Sequence, residues 1–255
     1  MQPNSLSSLI AEVDALKQHL ASLPQQPAEA AQKVRDALAV AYTYESNRIE
    51  GNTLTLQEIN LVVCEGLTLG GRTMREHLEV LNHYEAIDFI RTKANEQAPI
   101  TIDLICDIHA LVLRGIDSAN AGKWREEAVV LSRSEYAPPT PNLLPQLMDD
   151  FVKAFEQLEQ SGEHPLLLAA YLHDELVRIH PFIDGNRRTA RLLMNLYLLR
   201  FGYLIVSIKG SPESRQRYFD ALEESHLHLR HEAFQRLIIE AEKDALEYYI
   251  NLVEY

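Results

Sequence analysis

The residues best suited to chemistry lie in one short segment, from His180 to Arg191. A histidine near neutral pH can accept a proton from an attacking hydroxyl, so His180 is a candidate general base. Asp184 follows, and a carboxylate beside phosphates is a natural ligand for Mg²⁺. Arg188 and Arg191 are three positions apart and therefore share one face of a helix. A base, a metal carboxylate and two guanidinium groups are together suited to phosphoryl or nucleotidyl transfer.

The elements predicted around this segment explain how it would bind an anion. A helix is expected to end near His180, because Pro181 disfavours a helical residue before it. A turn at Asp184 and Gly185 leads into a new helix from about Asn186. The first turn of that helix offers free backbone N–H groups and the positive end of its dipole. From the residues alone, the alternative is a structural loop followed by solvated arginines.

The rest of the chain predicts an all-α protein with one small β-hairpin. Apolar residues recur at helical spacing along most of the 255 residues. Residues 122–132 instead have a β-branched core at Val129 and Val130, and a turn-rich stretch, 134–141, follows them, which favours a short hairpin. Helices are expected over about 6–20, 28–49, a short stretch after Thr55, 73–94, 101–114, 142–160, 165–178, 186–201, 212–228 and 232–251.

Composition narrows the class of protein. Hydrophobic residues make up 46% of the chain and charged residues 24%, as in ordinary globular proteins. The net charge of -13 gives no general attraction for nucleic acid or an anionic membrane. Cys64 and Cys106 lie in apolar helical patterns and are predicted to be buried thiols. Neither a signal peptide nor an apolar run of about 18 residues is visible. A cytoplasmic protein without nucleic-acid or membrane partners is expected.

The segment 180–191 resembles the signature of the Fic family, HxFx(D/E)GN(G)RxxR. Every position matches except 187, where the family usually has glycine and this chain has Arg187. The resemblance extends over roughly residues 35–240 and implies a Fic-type helical bundle. It also implies transfer of AMP from ATP to a Ser, Thr or Tyr hydroxyl of a protein, with Mg²⁺ as the cofactor.

The resemblance also implies a role for each residue of the segment. His180 is the general base, Asp184 holds Mg²⁺, Phe182 anchors the loop in the core and Arg191 binds the γ-phosphate. Arg187 adds bulk and charge where glycine lets the backbone approach the phosphates. A positive φ at that position would strain an arginine by about 1–2 kcal/mol. The implied nucleotide-binding residues are Asp184, Gly185, Asn186, Arg187, Arg188, Arg191 and Tyr218.

Residues 122–141 resemble the flap of the family, a hairpin that aligns a target segment by β-augmentation. His226 stands eight residues after Tyr218, where family members often carry an asparagine. The flap residues predicted to meet the target are Lys123, Trp124, Arg125, Val129, Val130 and Leu131.

An upstream segment resembles the inhibitory motif (S/T)xxxE(G/N) of many Fic proteins. Ser46 and Glu50 are four positions apart and share a helical face. The resemblance implies that Glu50 pairs with Arg191 and so denies that guanidinium to the γ-phosphate. An acid at a helix C-terminus is also unfavourably placed beside the dipole, which indicates a partner. The alternative is that Glu50 is a surface acid.

These observations predict a helical extension over residues 1–34 and a Fic-type domain over 35–255. The inhibitory helix is expected at about 35–52 and the core at about 100–240. The leading hypothesis is an autoinhibited protein adenylyltransferase. Its alternatives are Glu50-dependent removal of AMP from modified proteins and a non-catalytic nucleotide- or partner-binding module, since Arg187 replaces the usual glycine. The expected partners are a protein substrate, with the chain itself as a candidate, and a second copy in a homodimer.

Overall fold

The computed structural model of the chain describes residues 5–24, 27–131 and 134–254. Within these ranges the regular structure is helical and contains no β-strand, so the predicted all-α fold is confirmed. A short 3₁₀ helix, Pro141–Leu143, precedes α6. The helices are α1 (Leu6–Ser22), α2 (Ala28–Glu50), α3 (Leu56–Glu65), α4 (Met74–Asn95), α5 (Ile102–Leu113), α6 (Leu144–Gln160), α7 (Pro165–Ile179), α8 (Asn186–Arg200), α9 (Pro212–His228) and α10 (Glu232–Glu254).

Helix ends follow local signals in the sequence. Thr55 opens α3 with a capping box, in which its side chain and that of the third helical residue each accept a backbone N–H. Thr73 opens α4 in the same way. Gly51 takes the left-handed conformation and ends α2 directly after Glu50. The cap therefore fixes the last turn of α2, which carries the predicted inhibitory residue.

The centre of the fold is α8, which packs against α4, α5 and α7. Every residue from Arg188 to Leu198 is buried. Helix α10 packs on α7 and α9, and α1 lies along α10. Because α8 is enclosed along its length, the arginines of its first turns lie in the interior. Arg188 and Arg191 are only 3% and 1% exposed, which rules out the solvated arginines of the alternative interpretation.

The predicted hairpin at residues 122–141 is wrong for the part of that segment that the structure describes. Residues 122–131 and 134–141 form no paired strands, and Ser132 lies outside the described residues. The buried guanidinium of Arg125 instead donates hydrogen bonds to the carbonyls of Glu127 and Pro139. One side chain thus holds the two arms of the segment where a ladder of backbone hydrogen bonds was expected. We call residues 122–141 the flap.

Two further expectations concern the burial of the cysteines and the boundary between the two predicted domains. Cys106 is half-buried, but Cys64 is exposed, contrary to its predicted burial; both are free thiols. The predicted division between residues 34 and 35 falls inside α2 and stays a prediction. Across the described ranges, no helix combines the length and apolar character needed to cross a membrane.

Candidate active site

The loop between α7 and α8 contains two residues with left-handed backbone. His180 ends α7 with φ 52° and ψ 57°, and Gly185 precedes α8 with φ 77°. A Cβ atom on Gly185 would lie 3.3 Å from ring atoms of His109 and from Cγ1 of Val112. Gly185 therefore satisfies a backbone conformation and a close approach at once. The strained histidine is the kind of outlier that gathers at functional sites.

The loop between α7 and α8 is stabilised by hydrogen bonds and ring contacts of its own side chains. The amide of Asn186 donates to the carbonyl of Phe182 (2.8 Å), and its oxygen accepts the N–H of Phe182 (2.9 Å). The ring of Phe182 is fully buried and stacks on His109, with 3.6 Å between centroids. Because both polar atoms of the Asn186 side chain are used by the loop, its backbone N–H is the group that remains for a nucleotide.

His109 is a site residue that the sequence did not reveal. Its Nδ1 accepts the N–H of Gly122 (2.9 Å), which leaves Nε2–H to donate to the carbonyl of Asp184 (2.9 Å). Burial lowers the pKa of His109 to about 4, so the ring is neutral at pH 7. One neutral imidazole therefore joins the start of the flap to the loop between α7 and α8. Its place on the apolar face of α5 is that of an ordinary core histidine.

His180 is buried and close to basic groups. Its Nδ1 lies 3.2 Å from the carbonyl oxygen of Val177, so Nδ1–H donates there and Nε2 carries the lone pair. Burial lowers the pKa of His180 to about 4; the Val177 carbonyl opposes this, and the charges of Arg187 and Arg125 reinforce it. A neutral imidazole with a free Nε2 can accept a proton.

Arg125 links the flap to this histidine. Its Nε donates to the carbonyl of His180 (2.8 Å), and its backbone N–H donates to the carbonyl of Pro181 (2.9 Å). The side chain is buried. Predicted as a target-facing flap residue, Arg125 is instead the anchor that fixes the flap to the loop.

Glu50 reaches the N-terminus of α8 and lies between two arginines. Its Oε1 accepts from Arg191 Nη2 at 2.9 Å. Its Oε2 accepts from Arg187 Nη2 at 2.9 Å and from Arg187 Nε at 3.0 Å. Burial alone would raise the pKa of Glu50, but Arg187 and then Arg191 outweigh it and hold the pKa at about 2. The carboxylate is therefore ionised and bound on both oxygens, and its contact with Arg187 was not predicted.

Arg191 is fully committed to its neighbours. Its Nε donates to Ser46 Oγ (3.0 Å), and its Nη2 also donates to the Ser46 carbonyl (2.9 Å). Its Nη1 lies 3.4 Å from the hydroxyl of Tyr218, which in turn lies 3.0 Å from Nε2 of His173. Burial lowers the pKa of His173 to about 3, so that ring is neutral and accepts the Tyr218 proton. The last turns of α2 thus occupy the guanidinium that a phosphate would need.

Arg188 is, by contrast, poorly satisfied. It is 3% exposed, yet its Nε and Nη1 have no hydrogen-bond partner among the described residues. The nearest carboxylate oxygens, of Glu79 and Asp184, lie 3.5 Å away. Buried donors without partners are costly. Because Arg188 also lines the cleft, an anion bound there would supply the missing acceptors.

Asp184 stands at the rim with its side chain 47% exposed. Burial would raise its pKa, but Arg188, the N–H of Gly185 and Arg75 together hold the pKa below its ordinary value. One carboxylate oxygen accepts the Gly185 N–H (2.6 Å), and the other accepts from Arg75 Nη2 (2.6 Å). Arg75 comes from the first turn of α4 and, like Glu79, was not predicted.

An ionised carboxylate at this rim fits Mg²⁺, which takes one or two carboxylates, phosphate oxygens and waters. In the described parts of the chain, no three His, Cys, Asp or Glu residues come together to hold a metal by themselves. Mg²⁺ bound at Asp184 would therefore need phosphate oxygens and waters as its other ligands. Arg75, with its side chain 58% exposed, holds one of the Asp184 oxygens that such an ion would use.

A cleft of about 70 Å³ separates these groups, which is too small for a nucleotide. A cavity of about 1170 Å³ lies elsewhere, bordered by α1, α2, α9 and α10, and none of the loop residues line it. We therefore place the site at the cleft, where the charges converge. The cleft is lined by Glu50, His180, Ile183, Asp184, Gly185, Asn186, Arg187 and Arg188.

The outer part of the flap is exposed, while its base is held by α9. Val130 is 92% exposed, and Lys123 is exposed, whereas Trp124, Val129 and Leu131 are half-buried. The carboxylate of Glu223 accepts from the hydroxyl of Ser134 and from the N–H of Glu135. The flap is therefore anchored at Arg125 and again at Ser134 and Glu135, and residues 126–128 and Val130 between these anchors are exposed.

His226 faces the flap through a ring contact with Tyr136, with 5.0 Å between centroids. Its Nε2 lies 3.0 Å from Oδ1 of Asp174, and His231 lies 3.0 Å from the other carboxylate oxygen. His226 in the last turn of α9 and His231 in the connection to α10 thus share one buried acid.

The fold and site define a helical protein in which the N-terminus of a buried helix, two of its arginines and a neutral histidine line one cleft, and a third arginine, Arg191, binds the Glu50 carboxylate there. Residues 99–198 match the family model described as the Fic/DOC family. The chain therefore belongs to the Fic/DOC family, as its signature predicted.

Relatives and solved structures agree with this membership. Protein adenylyltransferase Fic from Drosophila persimilis is 35% identical over 214 residues, which cover 84% of this chain and 41% of that protein. The protein of the same name from Nematostella vectensis is 34% identical over 219 residues, covering 86% of this chain and 50% of its own. A segment of Fic-1 from C. elegans has a TM-score of 0.87 at 28% identity, covering 98% of this chain and 73% of that one. The chain thus spans half or less of the length of these two curated relatives.

Proposed function

We propose that this protein transfers AMP from ATP to a Ser, Thr or Tyr hydroxyl of a protein, and that Glu50 holds the resting enzyme inactive. The observation that carries the proposal is the Glu50 carboxylate bound between Arg187 and Arg191, beside the neutral ring of His180. The names of the relatives support adenylyl transfer as the reaction and ATP as the donor.

The phosphates bind at the N-terminus of α8. The first-turn amides of the helix and the Nε and Nη1 donors of Arg188 hold the α- and β-phosphates, because the first turn lines the cleft and these two Arg188 donors have no acceptor among the described residues. Arg191 takes the γ-phosphate after Glu50 withdraws. Mg²⁺ held by Asp184 would neutralise phosphate charge when bound.

His180 then moves the proton. Its Nε2 accepts the proton of the target hydroxyl as that oxygen bonds to the α-phosphorus, and pyrophosphate leaves with the electrons of the broken P–O bond. The Nδ1–H of His180 stays on the carbonyl of Val177, which stabilises the imidazolium that forms.

The target chain lies along the open middle of the flap. Residues 128–130 form no backbone hydrogen bonds to other described residues, so their N–H and C=O groups are available to an extended peptide. Such recognition reads backbone rather than sequence, and the chain itself is one candidate target. A homodimer and a cytoplasmic location complete the proposal. Light scattering of the purified protein tests the dimer.

Replacement of Glu50 by glycine is expected to activate transfer. Glu50→Gly frees Arg187 and Arg191 for phosphate while leaving His180 and the α8 amides in place. With labelled ATP and Mg²⁺, AMP incorporation into the protein should rise at least about tenfold, which corresponds to about 1.4 kcal/mol. Intact-protein mass spectrometry should show the added mass of one AMP.

Two controls accompany this experiment. Glu29→Gly removes an exposed acid from the other end of α2 and should leave labelling at the wild-type level. Glu50→Gly combined with His180→Ala should bind ATP but transfer no AMP. If Glu50→Gly labels no better than wild type, inhibition by Glu50 is wrong; if the His180→Ala double variant remains fully active, the base is another group.

Two other functions compete with this proposal. Removal of AMP from a modified protein would require Glu50 to activate water, and a carboxylate with a pKa of about 2 is a weak proton acceptor. Glu50-dependent release of AMP from an AMPylated protein would favour that activity. A non-catalytic module was suggested by Arg187, but this residue lies in α8 and is not among the described residues with positive φ. Calorimetry that detects ATP binding in Glu50→Gly without any transfer would favour the module.

A further inference from the structure

Arg187 occupies a position where the family usually has glycine, and its side chain binds the Glu50 carboxylate. Its guanidinium bonds one oxygen of Glu50 through Nε and Nη2, while Arg191 bonds the other oxygen. A single oxyanion is thereby bound between two guanidinium groups. Glycine at this position would leave Glu50 with Arg191 alone.

The Glu50 carboxylate marks the position of an anion site. Arg191 is held from other directions by Ser46 and Tyr218. Arg187 lies over the ring of Phe219, 5.1 Å from its centroid. These contacts do not involve Glu50, so they remain to hold both guanidinium groups in position when the carboxylate is removed.

Without Glu50, two largely buried cations would lack a counter-ion. The Arg187 side chain is 31% exposed and that of Arg191 is 1% exposed. Uncompensated charge at such depth is strongly unfavourable. A terminal phosphate satisfies it better than a carboxylate does, because it brings more negative charge and three acceptor oxygens.

We propose that Arg187 is a specificity-determining residue which, with Arg191, forms a terminal-phosphate site that selects nucleoside triphosphates over diphosphates. Glu50 fills the same site in the resting protein. This inference rests on the proposed function, since it assumes that a nucleotide binds at the cleft. Arg187 thus tightens the inhibited state and the triphosphate-bound state through the same donors.

The test is calorimetry of ATP and ADP, each with Mg²⁺, on Glu50→Gly protein. We expect ATP to bind at least about tenfold more tightly than ADP. Adding Arg187→Gly should remove most of that preference, because the affinity for ATP should fall while the affinity for ADP changes less than about threefold. Arg187→Lys keeps the charge without the paired donors and should give an intermediate ratio.

Arg230→Ala in the same background removes an exposed arginine that pairs with Glu224 and should leave the ratio unchanged. Circular dichroism melting checks that each variant is folded, and Arg187→Lys serves if the glycine variant is not. An ATP-to-ADP ratio unaffected by both Arg187 variants, or equal losses for both nucleotides, overturns the role of Arg187. If Glu50→Gly then still transfers AMP, the proposed function stands; if it neither binds nucleotide nor transfers AMP, both proposals fail.

Discussion

At the scale of single residues, the protonation state of His180 is set by its position at the end of α7. Burial lowers its pKa to about 4, and the nearby charges of Arg187 and Arg125 act in the same direction. Glu50 acts in the opposite direction, so its removal cannot raise this pKa. The form that accepts a proton therefore persists well below neutral pH.

This leads to a prediction for the pH dependence of transfer by Glu50→Gly. The active form is the neutral imidazole, so the rate at saturating ATP should stay high as pH falls to about 5 and decline as pH passes through about 4. Initial rates of labelled AMP transfer across this range give the acid limb, and circular dichroism at each pH separates loss of activity from unfolding. An acid limb at the ordinary histidine value near 6.5 would contradict the burial of the base.

The sequence predicted the residues of the site that are close together in the chain. His180, Asp184, Arg188 and Arg191 follow one another on a turn and a helix, so spacing alone groups them. His109 and Arg75 reach Asp184 across 75 and 109 positions, and only the packing of α5 and α4 on α8 brings them there. The contact of Arg187 with Glu50 spans 137 positions and equally depends on tertiary structure.

At the scale of elements, two side chains join the flap to the loop between α7 and α8, which carries His180 and Asp184. His109 connects Gly122 to Asp184, and Arg125 connects the flap to the backbone at His180. In the proposed function, the loop that carries the general base is thus tied to the segment that receives the target. The flap and the loop that carries His180 are therefore joined by direct hydrogen bonds.

Removal of the His109 ring should loosen this junction. His109→Ala loses two hydrogen bonds and the stack on Phe182, so we expect a loss of about 2–4 kcal/mol in the free energy of unfolding. Urea denaturation measures the change, and His228→Ala, an exposed histidine at the end of α9, is the matched control. Equal midpoints for His109→Ala and wild type would show that the junction is not structural.

Helices were predictable from the sequence because their signals are local. Capping residues such as Thr55 and Thr73 and the terminating Gly51 act within a few positions. The flap was not predictable in the same way. Its β-branched residues favoured paired strands, but the guanidinium of Arg125 satisfies carbonyls that a ladder would have used, and sequence pattern does not reveal where a buried side chain will point.

At the scale of the whole molecule, the chain has a net charge of -13, although Arg187, Arg188 and Arg191 make its cleft region basic. One acidic group is also fully buried: Glu242 on α10, which accepts the N–H of Leu204 (2.8 Å) and whose other oxygen has no partner among the described residues. Burial raises the pKa of Glu242 to about 8. The carboxyl is therefore protonated in the folded protein at neutral pH.

This burial predicts a pH-dependent stability. The folded pKa lies above the unfolded value near 4.5, so the folded state binds more protons between about pH 4.5 and 8 and the stabilisation is lost as pH rises through that interval. Glu242→Gln keeps the shape without the titration and should be more stable than wild type at pH 8, by about 1–3 kcal/mol.

Urea unfolding at about pH 6 and 8 tests this difference. Glu240→Gln on the same helix alters a partly exposed acid paired with Arg217 and should leave the pH dependence of wild type in place. A Glu242→Gln variant with the same pH dependence as wild type would show that Glu242 does not titrate as its burial requires.

The depth of the Glu50 contact also determines which conditions can release it. Mobile ions screen exposed charges over about 8 Å at physiological ionic strength, but they act weakly on pairs that water scarcely reaches. Glu50 and Arg191 have side chains only 17% and 1% exposed, so a change in the salt content of the medium should leave them paired. The inhibited state that we propose should therefore be insensitive to ionic strength and should yield only to a competing polyanion or to displacement of the last turn of α2.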